Sequence, residues 1–260
     1  MIRLSTTDLT IGYERGKSKN TVQQQLNLHA NQGELIALVG PNGCGKSTLL
    51  RTLAGLHSPF GGNICLNASN VPLWEMPPME RAKAIALVLT DTVQLHYATV
   101  EQLVRMGRHP YSSFSGRLSA HDLKLVEQSL LAVKLQDFRH RLVSELSDGE
   151  RQRVWIAKAL AQDTPIILLD EPTSFLDLPN RIEIMLLLQK LAHDLNKCVV
   201  LSTHEIDLAI RLADTLWLME KEKGVKVGKP SELSSDGSIQ SVFKGDSFGF
   251  DPQTGRVIIF

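Results

Sequence analysis

The chain has 260 residues, 43% of them apolar and 22% charged, which is typical of a globular protein with one large domain or a main domain and a subdomain. Its 28 Lys and Arg residues equal its 28 Asp and Glu residues, which excludes the strong basic field that holds nucleic acid by electrostatics alone. The three cysteines form no CxxC pair, so we expect neither a disulfide framework nor a zinc site. No apolar run is long enough for a bilayer span or, near Met1, for a signal peptide. We therefore expect no membrane span, and a reducing cytoplasm as the compartment.

The first third of the chain predicts strands around one helix. Alternating apolar and polar residues, or a continuous apolar run at 33–40, predict strands within 2–12, 22–28, 33–40, 58–67 and 84–90. A turn is expected at 13–20, a helix from Ser47, and no regular element over the proline-rich segment 72–80.

The rest of the chain alternates helices with strands. From about 99 to 140 the pattern is helical, with one apolar face formed by Leu123, Val126, Leu130 and Val133. Asp122 is expected away from that face. Further strands are predicted at 165–172, 198–203, 215–220 and near 256–260, and helices at 179–195 and 205–213. This alternation predicts an α/β fold with a parallel core sheet.

Residues 40–48, between the buried strand and the first helix, fit the pattern GxxxxGK[ST]. This segment, the phosphate loop, consists of Gly40, Pro41, Asn42, Gly43, Cys44, Gly45, Lys46, Ser47 and Thr48. Glycines let consecutive N–H groups wrap closely around phosphates, and the following helix adds its positive N-terminal end. Lys46 is expected to reach the β- and γ-phosphates and Ser47 to offer its hydroxyl to Mg²⁺. The strand and helix on either side favour nucleotide binding over a simple glycine-rich turn.

Cys44 has two interpretations within this loop. We favour a small residue that supplies only its backbone N–H. The alternative is a reactive thiol, because a helix N-terminus lowers the pKa of a nearby thiol.

Acidic residues end one buried strand, and a histidine ends the next. Strand alternation sends Asp170 and Glu171 of IILLDEP to opposite sides of the strand end. Asp170 is placed to hold Mg²⁺ through water, and Glu171 is the candidate general base or orienter of an attacking water. His204, in VVLSTHE, is a candidate contact for the γ-phosphate and that water, although a lone histidine before a helix has no chemistry by default.

The segment LSDGERQRVWIAKAL, residues 146–160, predicts a helix with an unusual first turn. Ser147 and Glu150 form a capping box, and Val154, Ala157 and Leu160 form an apolar stripe. Gly149 lies inside the first turn, where glycine costs about 0.5–1 kcal/mol relative to alanine.

The motifs follow one another as GPNGCGKST, LSDGERQR, IILLDEP, TSFLD (173–177) and His204. This ordered set resembles the nucleotide-binding subunit of ABC transporters over essentially the whole chain, with the motifs as Walker A loop, signature motif, Walker B strand, D-loop and switch histidine. The resemblance implies a P-loop NTPase fold with an antiparallel β subdomain, a helical subdomain at roughly 91–160 and a C-terminal tail at roughly 221–260. ATP and Mg²⁺ are the cofactors it implies.

The family resemblance also implies a partner at the signature motif. Two copies of such a subunit pack head to tail, so that Ser147 and Gly149 offer a hydroxyl and a backbone N–H to the γ-phosphate held by the second copy. A side chain at 149 would block that approach. Tyr13 looks like the residue that stacks on adenine, and Asp177 of the D-loop belongs to the implied nucleotide-binding set.

A narrower resemblance concerns TVEQLVRMGRHPY, residues 99–111, with its GRxP core from Gly107 to Pro110, and also SFLDLPN. Both are similar to segments of the ATPases that energise importers of iron–siderophores, haem and cobalamin. This implies a separate integral permease, contacted through the segment 84–140, and indirectly a substrate-binding protein. The expected location is peripheral, on the cytoplasmic face of the cell membrane.

The sequence departs from the family pattern in two places. A Gln is usual at the end of the strand before residue 99, where this chain has Thr90 or Asp91, with Gln94 beyond, and our hypothesis gives the role to Asp91 or Gln94. In the signature, Asp148 replaces Gly and Glu150 replaces Gln. Either carboxylate would repel a γ-phosphate unless it points away, and Glu150 can turn back to the Ser147 N–H.

Other kinds of ABC protein can be compared with this chain by their domain architecture. Translation factors carry two cassettes and a charged linker, and chromosome ATPases insert a long coiled coil where this chain has about 100 residues without heptads. A cytosolic scaffold protein for iron–sulfur assembly is compatible with the architecture, as is an exporter subunit with a separate permease. The importer is the interpretation that we favour.

Overall fold

The computed structural model describes residues 1–16, 18–67, 71–90, 97–112, 116–221, 223–243, 248–250 and 257–259. The strands are β1 (Ile2–Arg15), β2 (Ser18–Leu26), β3 (His29–Asn31), β4 (Leu35–Val39), β5 (Gly61–Leu66), β6 (Ile85–Val88), β7 (Ile166–Leu169), β8 (Cys198–Ser202), β9 (Thr215–Glu220), β10 (Gly224–Gly228), β11 (Phe248–Phe250) and β12 (Val257–Ile259). The α-helices are α1 (Lys46–Leu53), α2 (Pro78–Ala84), α3 (Val100–Arg105), α4 (Ala120–Ala132), α5 (Asp148–Ala161), α6 (Leu178–His193), α7 (Ile206–Leu212), α8 (Pro230–Ser235) and α9 (Ser238–Phe243). Among the described residues, no helix combines the length and the apolar composition that crossing a membrane requires.

A four-stranded antiparallel sheet is built on β1, which pairs with β2, β3 and β5. The predicted turn at 13–20 is wrong in its extent, because the β1–β2 ladder continues to the pair Arg15 and Ser18. Gly16 adopts a φ of 60°, the left-handed region that glycine reaches without steric cost.

A six-stranded sheet has the order β10-β9-β4-β8-β7-β6, parallel except for β10. The predicted parallel core is therefore confirmed. Because parallel strands end at the same edge, the segments after β4, β7 and β8 meet there. These segments are the phosphate loop, the acid pair and the segment with His204.

Both faces of this sheet are buried, and strand alternation divides the core in two. Ile36 and Leu38 of β4 pack with α1 and the four-stranded sheet. Leu35 and Ala37 pack on the other face, with residues of α5 and α6. The sheet is thus held between the antiparallel sheet and the helices, which fixes its carboxyl edge in place.

The helices α3, α4 and α5 pack together beside the sheet. Val126, Leu130 and Val133 are buried as predicted, but Leu123 is 42% exposed. Asp122, expected away from the core, is buried. The reason is Arg108, itself buried, whose Nε donates to Asp122 Oδ1 at 2.8 Å and whose Nη1 donates to the carbonyl of Ala161 at 2.7 Å.

The segment 72–80 is more regular than predicted. A 3-10 turn covers Leu73–Glu75, and α2 begins at Pro78. Proline suits the first position of a helix because its missing N–H would have no intrahelical partner there.

Candidate nucleotide site

The phosphate loop connects the end of β4 to the start of α1, and its glycines have steric reasons. Gly43 and Gly45 have φ values of 77° and 114°. A Cβ at Gly40 would lie 2.3 Å from the carbonyl oxygen of Met219, and one at Gly45 would lie 2.4 Å from Cγ1 of Val22. The loop therefore packs closely against Val22 of β2 and Met219 of β9, and its glycines allow backbone conformations that an anion-binding loop uses.

Lys46 lies over this loop as the first residue of α1. Its side chain is buried, and Nζ donates to the carbonyl oxygens of Gly40 at 2.8 Å and Pro41 at 3.3 Å. Desolvation lowers the pKa of Lys46, while Cys44, Glu171 and Asp170 act in the opposite direction. A buried cation whose partners are two neutral carbonyls is well placed to accept a phosphate as counter-ion.

Cys44 is 1% exposed, and burial raises the pKa of its thiol. The hypothesis of a reactive thiol is therefore wrong. Desolvation of the thiolate exceeds the attraction of Lys46 and of the backbone N–H groups at the helix start. Cys44 remains a small buried residue of the loop.

Gln23 of β2 supports the loop from below, which the sequence did not reveal. Its Nε2 donates to the carbonyl oxygens of Cys44 at 3.1 Å and Glu220 at 2.5 Å, and its Oε1 accepts from the N–H of Gly224 at 2.9 Å. With 2% of its surface exposed, this side chain joins the loop to β9 and β10.

Asp170, immediately after β7, is 2% exposed and lies beside the phosphate loop. Its Oδ1 accepts hydrogen bonds from the hydroxyls of Ser47 at 2.9 Å and Ser202 at 2.8 Å. The Ser47 hydroxyl thus places a second oxygen directly beside the buried Asp170 carboxylate. Hydroxyl, carboxylate and water oxygens are the ligands that Mg²⁺ prefers, so Ser47 and Asp170 fit the ion that the motifs imply.

Glu171 turns away from Asp170 and contacts a different group of residues. Its Oε1 accepts from Nε2 of His204 at 2.6 Å, and its Oε2 accepts from the hydroxyl of Ser174 at 2.9 Å. Its φ of 48° is left-handed, which is rare for a residue with a side chain and often marks a functional position. The structure thus brings Glu171 and His204 together, a contact between the ends of the neighbouring strands β7 and β8.

The signature turn, residues 146–150, has the predicted capping box. Ser147 N–H and Oγ both donate to Oε2 of Glu150 at 2.8 Å, and the N–H of Glu150 donates back to Oγ at 3.3 Å. The N–H of Ser147 holds the pKa of Glu150 below its usual range. Glu150 therefore does turn back on Ser147.

Gly149 has a reason within its own chain for lacking a side chain. A Cβ there would lie 2.8 Å from Oδ1 of Asn180. Asn180 in turn donates through its backbone N–H and its Nδ2 to Oδ1 of Asp177, which caps α6. The signature turn thus lies next to Asn180, which in turn hydrogen-bonds to Asp177 of the D-loop.

Tyr13 lies apart from these clusters, whereas Thr90 contacts Asp170. Tyr13, on β1, is 45% exposed and lines a surface cavity with His57, Ser58 and Phe60. The hydroxyl of Thr90 donates to the backbone carbonyl of Asp170 at 2.8 Å. Asp91 and Gln94, the other candidates for the usual Gln, lie outside the described residues.

Sequence reasoning missed Gln23, Ser174 and Ser202 as parts of the site. A signal was present for Ser202, because it is a polar residue in the otherwise apolar run CVVLS. Nothing local marks Gln23, whose partners lie about 20 and 200 residues away in the chain.

Comparison with known proteins agrees with this geometry. The profile of the ABC transporter family matches residues 23–174. The probable siderophore transport system ATP-binding protein YusV of Bacillus subtilis strain 168 is 40% identical over 243 residues, covering 94% of this chain and 86% of YusV.

Solved structures are similar over most of the chain. One is a metal-chelate type ABC transporter in an inward-facing conformation. Its TM-score is 0.80 at 31% identity, and the alignment covers 94% of this chain and 89% of the transporter chain. Another, a dimeric ATP-binding cassette in a post-hydrolysis state with ADP and Pi, has a TM-score of 0.74 at 29% identity, covering 87% of this chain and 98% of its own.

Proposed function

The chain belongs to the ABC transporter family and is an ATPase, and we propose that it energises an importer of an iron complex or cobalamin through a separate membrane permease. One observation carries the ATPase chemistry. The phosphate loop, the Asp170 carboxylate and the Glu171–His204 pair meet at one edge of the sheet, with Ser47 hydrogen-bonded directly to Asp170.

We assign the steps of hydrolysis to this chain's own residues as follows. The loop N–H groups and Lys46 bind the phosphates of ATP. Glu171 accepts a proton from the attacking water or orients it, and His204 fixes the Glu171 carboxylate through the 2.6 Å hydrogen bond. In this proposal, His204 donates to a γ-phosphate oxygen once Glu171 turns toward the attacking water.

Mg²⁺, held by Ser47 and through water by Asp170, would neutralise charge on the β- and γ-phosphate oxygens when bound. The chain's own contribution is the placement of the Ser47 hydroxyl and the Asp170 carboxylate. Burial of Asp170 keeps its carboxylate in one orientation and away from bulk water.

A second copy of the chain supplies the other half of the site in this proposal. Ser147 and Gly149 contact the γ-phosphate bound by the partner copy. Asp177 is linked to this region by Asn180, which lies beside Gly149 and hydrogen-bonds to Asp177. Tyr13 stacks on adenine. The Ser147 hydroxyl donates to Glu150 in this structure, so that hydrogen must rotate toward the phosphate when the copies close.

The names of similar proteins support the proposed cargo and membrane partners. YusV is named for siderophore transport, and the similar transporter structure for metal chelates. We therefore propose a siderophore or haem complex of iron, or cobalamin, as cargo, with a permease and indirectly a substrate-binding protein as partners. The subunit would lie on the cytoplasmic face of the cell membrane, with no nucleic-acid partner.

The test uses tagged Glu171→Gln protein, which keeps the shape of the side chain but removes its charge and its basicity. We expect turnover to fall by about 10²- to 10⁴-fold while ATP binding persists. Isolated from ATP-treated membranes, this variant should retain an integral permease with many spans. Lys46→Ala protein, whose phosphate loop lacks its cation, is the matched control and should retain much less.

The identity of the recovered proteins decides between the alternatives. A permease together with a binding protein for an iron complex or cobalamin supports the importer. A permease with export cargo would change the direction of transport, and recovery of only soluble partners would replace the importer with a scaffold ABC protein.

A further inference from the structure

Ser202 is the last residue of β8 and is completely buried. Its hydroxyl accepts a hydrogen bond from the backbone N–H of Glu171 at 2.9 Å and donates one to Oδ1 of Asp170 at 2.8 Å. The Ser202 hydroxyl oxygen therefore contacts two consecutive residues of the candidate site, the side chain of Asp170 and the backbone of Glu171.

The contact with Glu171 falls at a strained point of the backbone. Beyond the end of β7, Glu171 has a φ of 48°, which a side chain disfavours. The direction of this peptide decides where the Glu171 side chain begins, and so whether it reaches His204 and Ser174. The partly buried N–H at this bend needs a partner, and the Ser202 hydroxyl supplies it.

The contact with Asp170 concerns the orientation of its carboxylate. Ser47 and Ser202 both donate to the same oxygen, Oδ1. Two donors on one oxygen restrict rotation of the carboxylate more than one donor does. Ser47 is a nucleotide-site residue in its own right, whereas Ser202 lies below it in the core, within the sheet.

We propose that Ser202 is a positioning residue for ATP hydrolysis. Its single hydroxyl fixes the orientation of both the Asp170 carboxylate and the Glu171 backbone N–H. The proposal rests on the roles proposed above for Asp170 and Glu171. Ser202 acts on turnover and on the response to Mg²⁺, and leaves metal-free nucleotide binding to the phosphate loop. A buried serine that merely fills the end of β8 would affect stability alone.

The experiment compares Ser202→Ala with Ser129→Ala, a matched control that also removes a buried serine hydroxyl. Ser129 donates only to the carbonyl of Leu125 within α4, remote from the site. Ser202→Thr keeps the hydroxyl and tests rescue. All variants are measured as full chains for kcat, for the Kd of a fluorescent ATP analogue with and without Mg²⁺, and for amide hydrogen exchange at Glu171.

For Ser202→Ala we expect kcat to fall by about 10- to 100-fold, the scale of a misplaced reacting group. The Kd without Mg²⁺ should stay within about twofold of wild type, since the phosphate loop is intact. The tightening of binding by Mg²⁺ should shrink, and exchange at the Glu171 N–H should accelerate. Ser129→Ala should match wild type in all of these, and Ser202→Thr should recover turnover.

The proposal is overturned if Ser202→Ala hydrolyses ATP like Ser129→Ala while exchange at Glu171 accelerates, because orientation would then not limit the reaction. It is equally overturned if exchange at Glu171 does not change. Should Ser202→Thr fail to fold, exchange and turnover in Ser202→Ala still decide the matter. Glu171→Gln separates the two levels: full activity in that variant sinks the proposed role of Glu171, whereas an inactive Glu171→Gln with an active Ser202→Ala sinks only the role of Ser202.

Discussion

Asp148 changes the charge of the signature turn. It is the first residue of α5, where an acidic side chain interacts favourably with the helix N-terminus, and its Oδ1 accepts from Nη1 of Arg151 at 2.9 Å. Its side chain is 66% exposed. Lying between Ser147 and Gly149, it puts a negative charge close to the anion that these residues are proposed to contact, and Arg151 offsets only part of that charge.

We predict that Asp148→Asn strengthens ATP-driven self-association. Removing one charge at about 8 Å in water relieves about 0.5 kcal/mol of repulsion, or roughly twofold in affinity. This increase in affinity should shrink at high salt, because salt screens the repulsion between the Asp148 carboxylate and the phosphate. Analytical ultracentrifugation in an inactive Glu171→Gln background measures it, with Asp137→Asn as an exposed control. Equal association of the two variants at low salt would contradict the prediction.

At the scale of one element, α5 is organised by its first turn. The capping box fixes the N-terminus of the helix. Further along, Val154, Ala157 and Leu160 are buried against the core. Gly149 costs helix stability but allows Asn180 to approach. The helix therefore begins where a local signal predicts, and its weak point is set by a neighbouring element.

We predict a pH-dependent contribution of Glu150 to stability. Its folded pKa lies below its usual value, so the charged form stabilises the native state above the unfolded pKa of about 4.3, and this is lost as the pH falls through the folded pKa. Glu150→Gln should reduce the free energy of unfolding by about 0.3–1 kcal/mol at pH 7. Urea unfolding should show the difference between wild type and variant disappearing toward pH 3. A difference that is constant with pH would exclude the charge as its cause.

At the scale of the whole molecule, Arg108 fastens the helical part together. It links the 3-10 segment Met106–Tyr111 to Asp122 at the start of α4 and to Ala161 at the end of α5, and its guanidinium lies 3.9 Å from the ring centroid of Tyr111. A Cβ at Gly107 would lie 2.3 Å from the carbonyl of Lys158. The GRxP tetrapeptide thus has a packing function, besides the family resemblance that it carries.

We predict that Arg108→Ala lowers the free energy of unfolding by about 3–5 kcal/mol, because it leaves the Asp122 carboxylate buried without its cation. Arg105→Ala, which breaks the more exposed pair with Glu101, should cost at most about 1 kcal/mol. Chemical denaturation of both variants at neutral pH gives the comparison. Similar losses in the two would show that the buried pair has no special weight.

The sequence by itself determined the alternation of strands and helices that builds the parallel core, the phosphate loop, the acid pair after β7 and the capping box of α5, because each depends on residues close together in the chain. Tertiary structure alone decided the burial of Cys44 and Asp122, the support of the loop by Gln23 and the two bonds of Ser202. Each of these depends on partners from distant segments. Burial raises the pKa of the Cys44 thiol, which excludes the alternative of a reactive cysteine at the helix end, and Asp122 is buried beside Arg108 although the helical pattern placed it away from the apolar face.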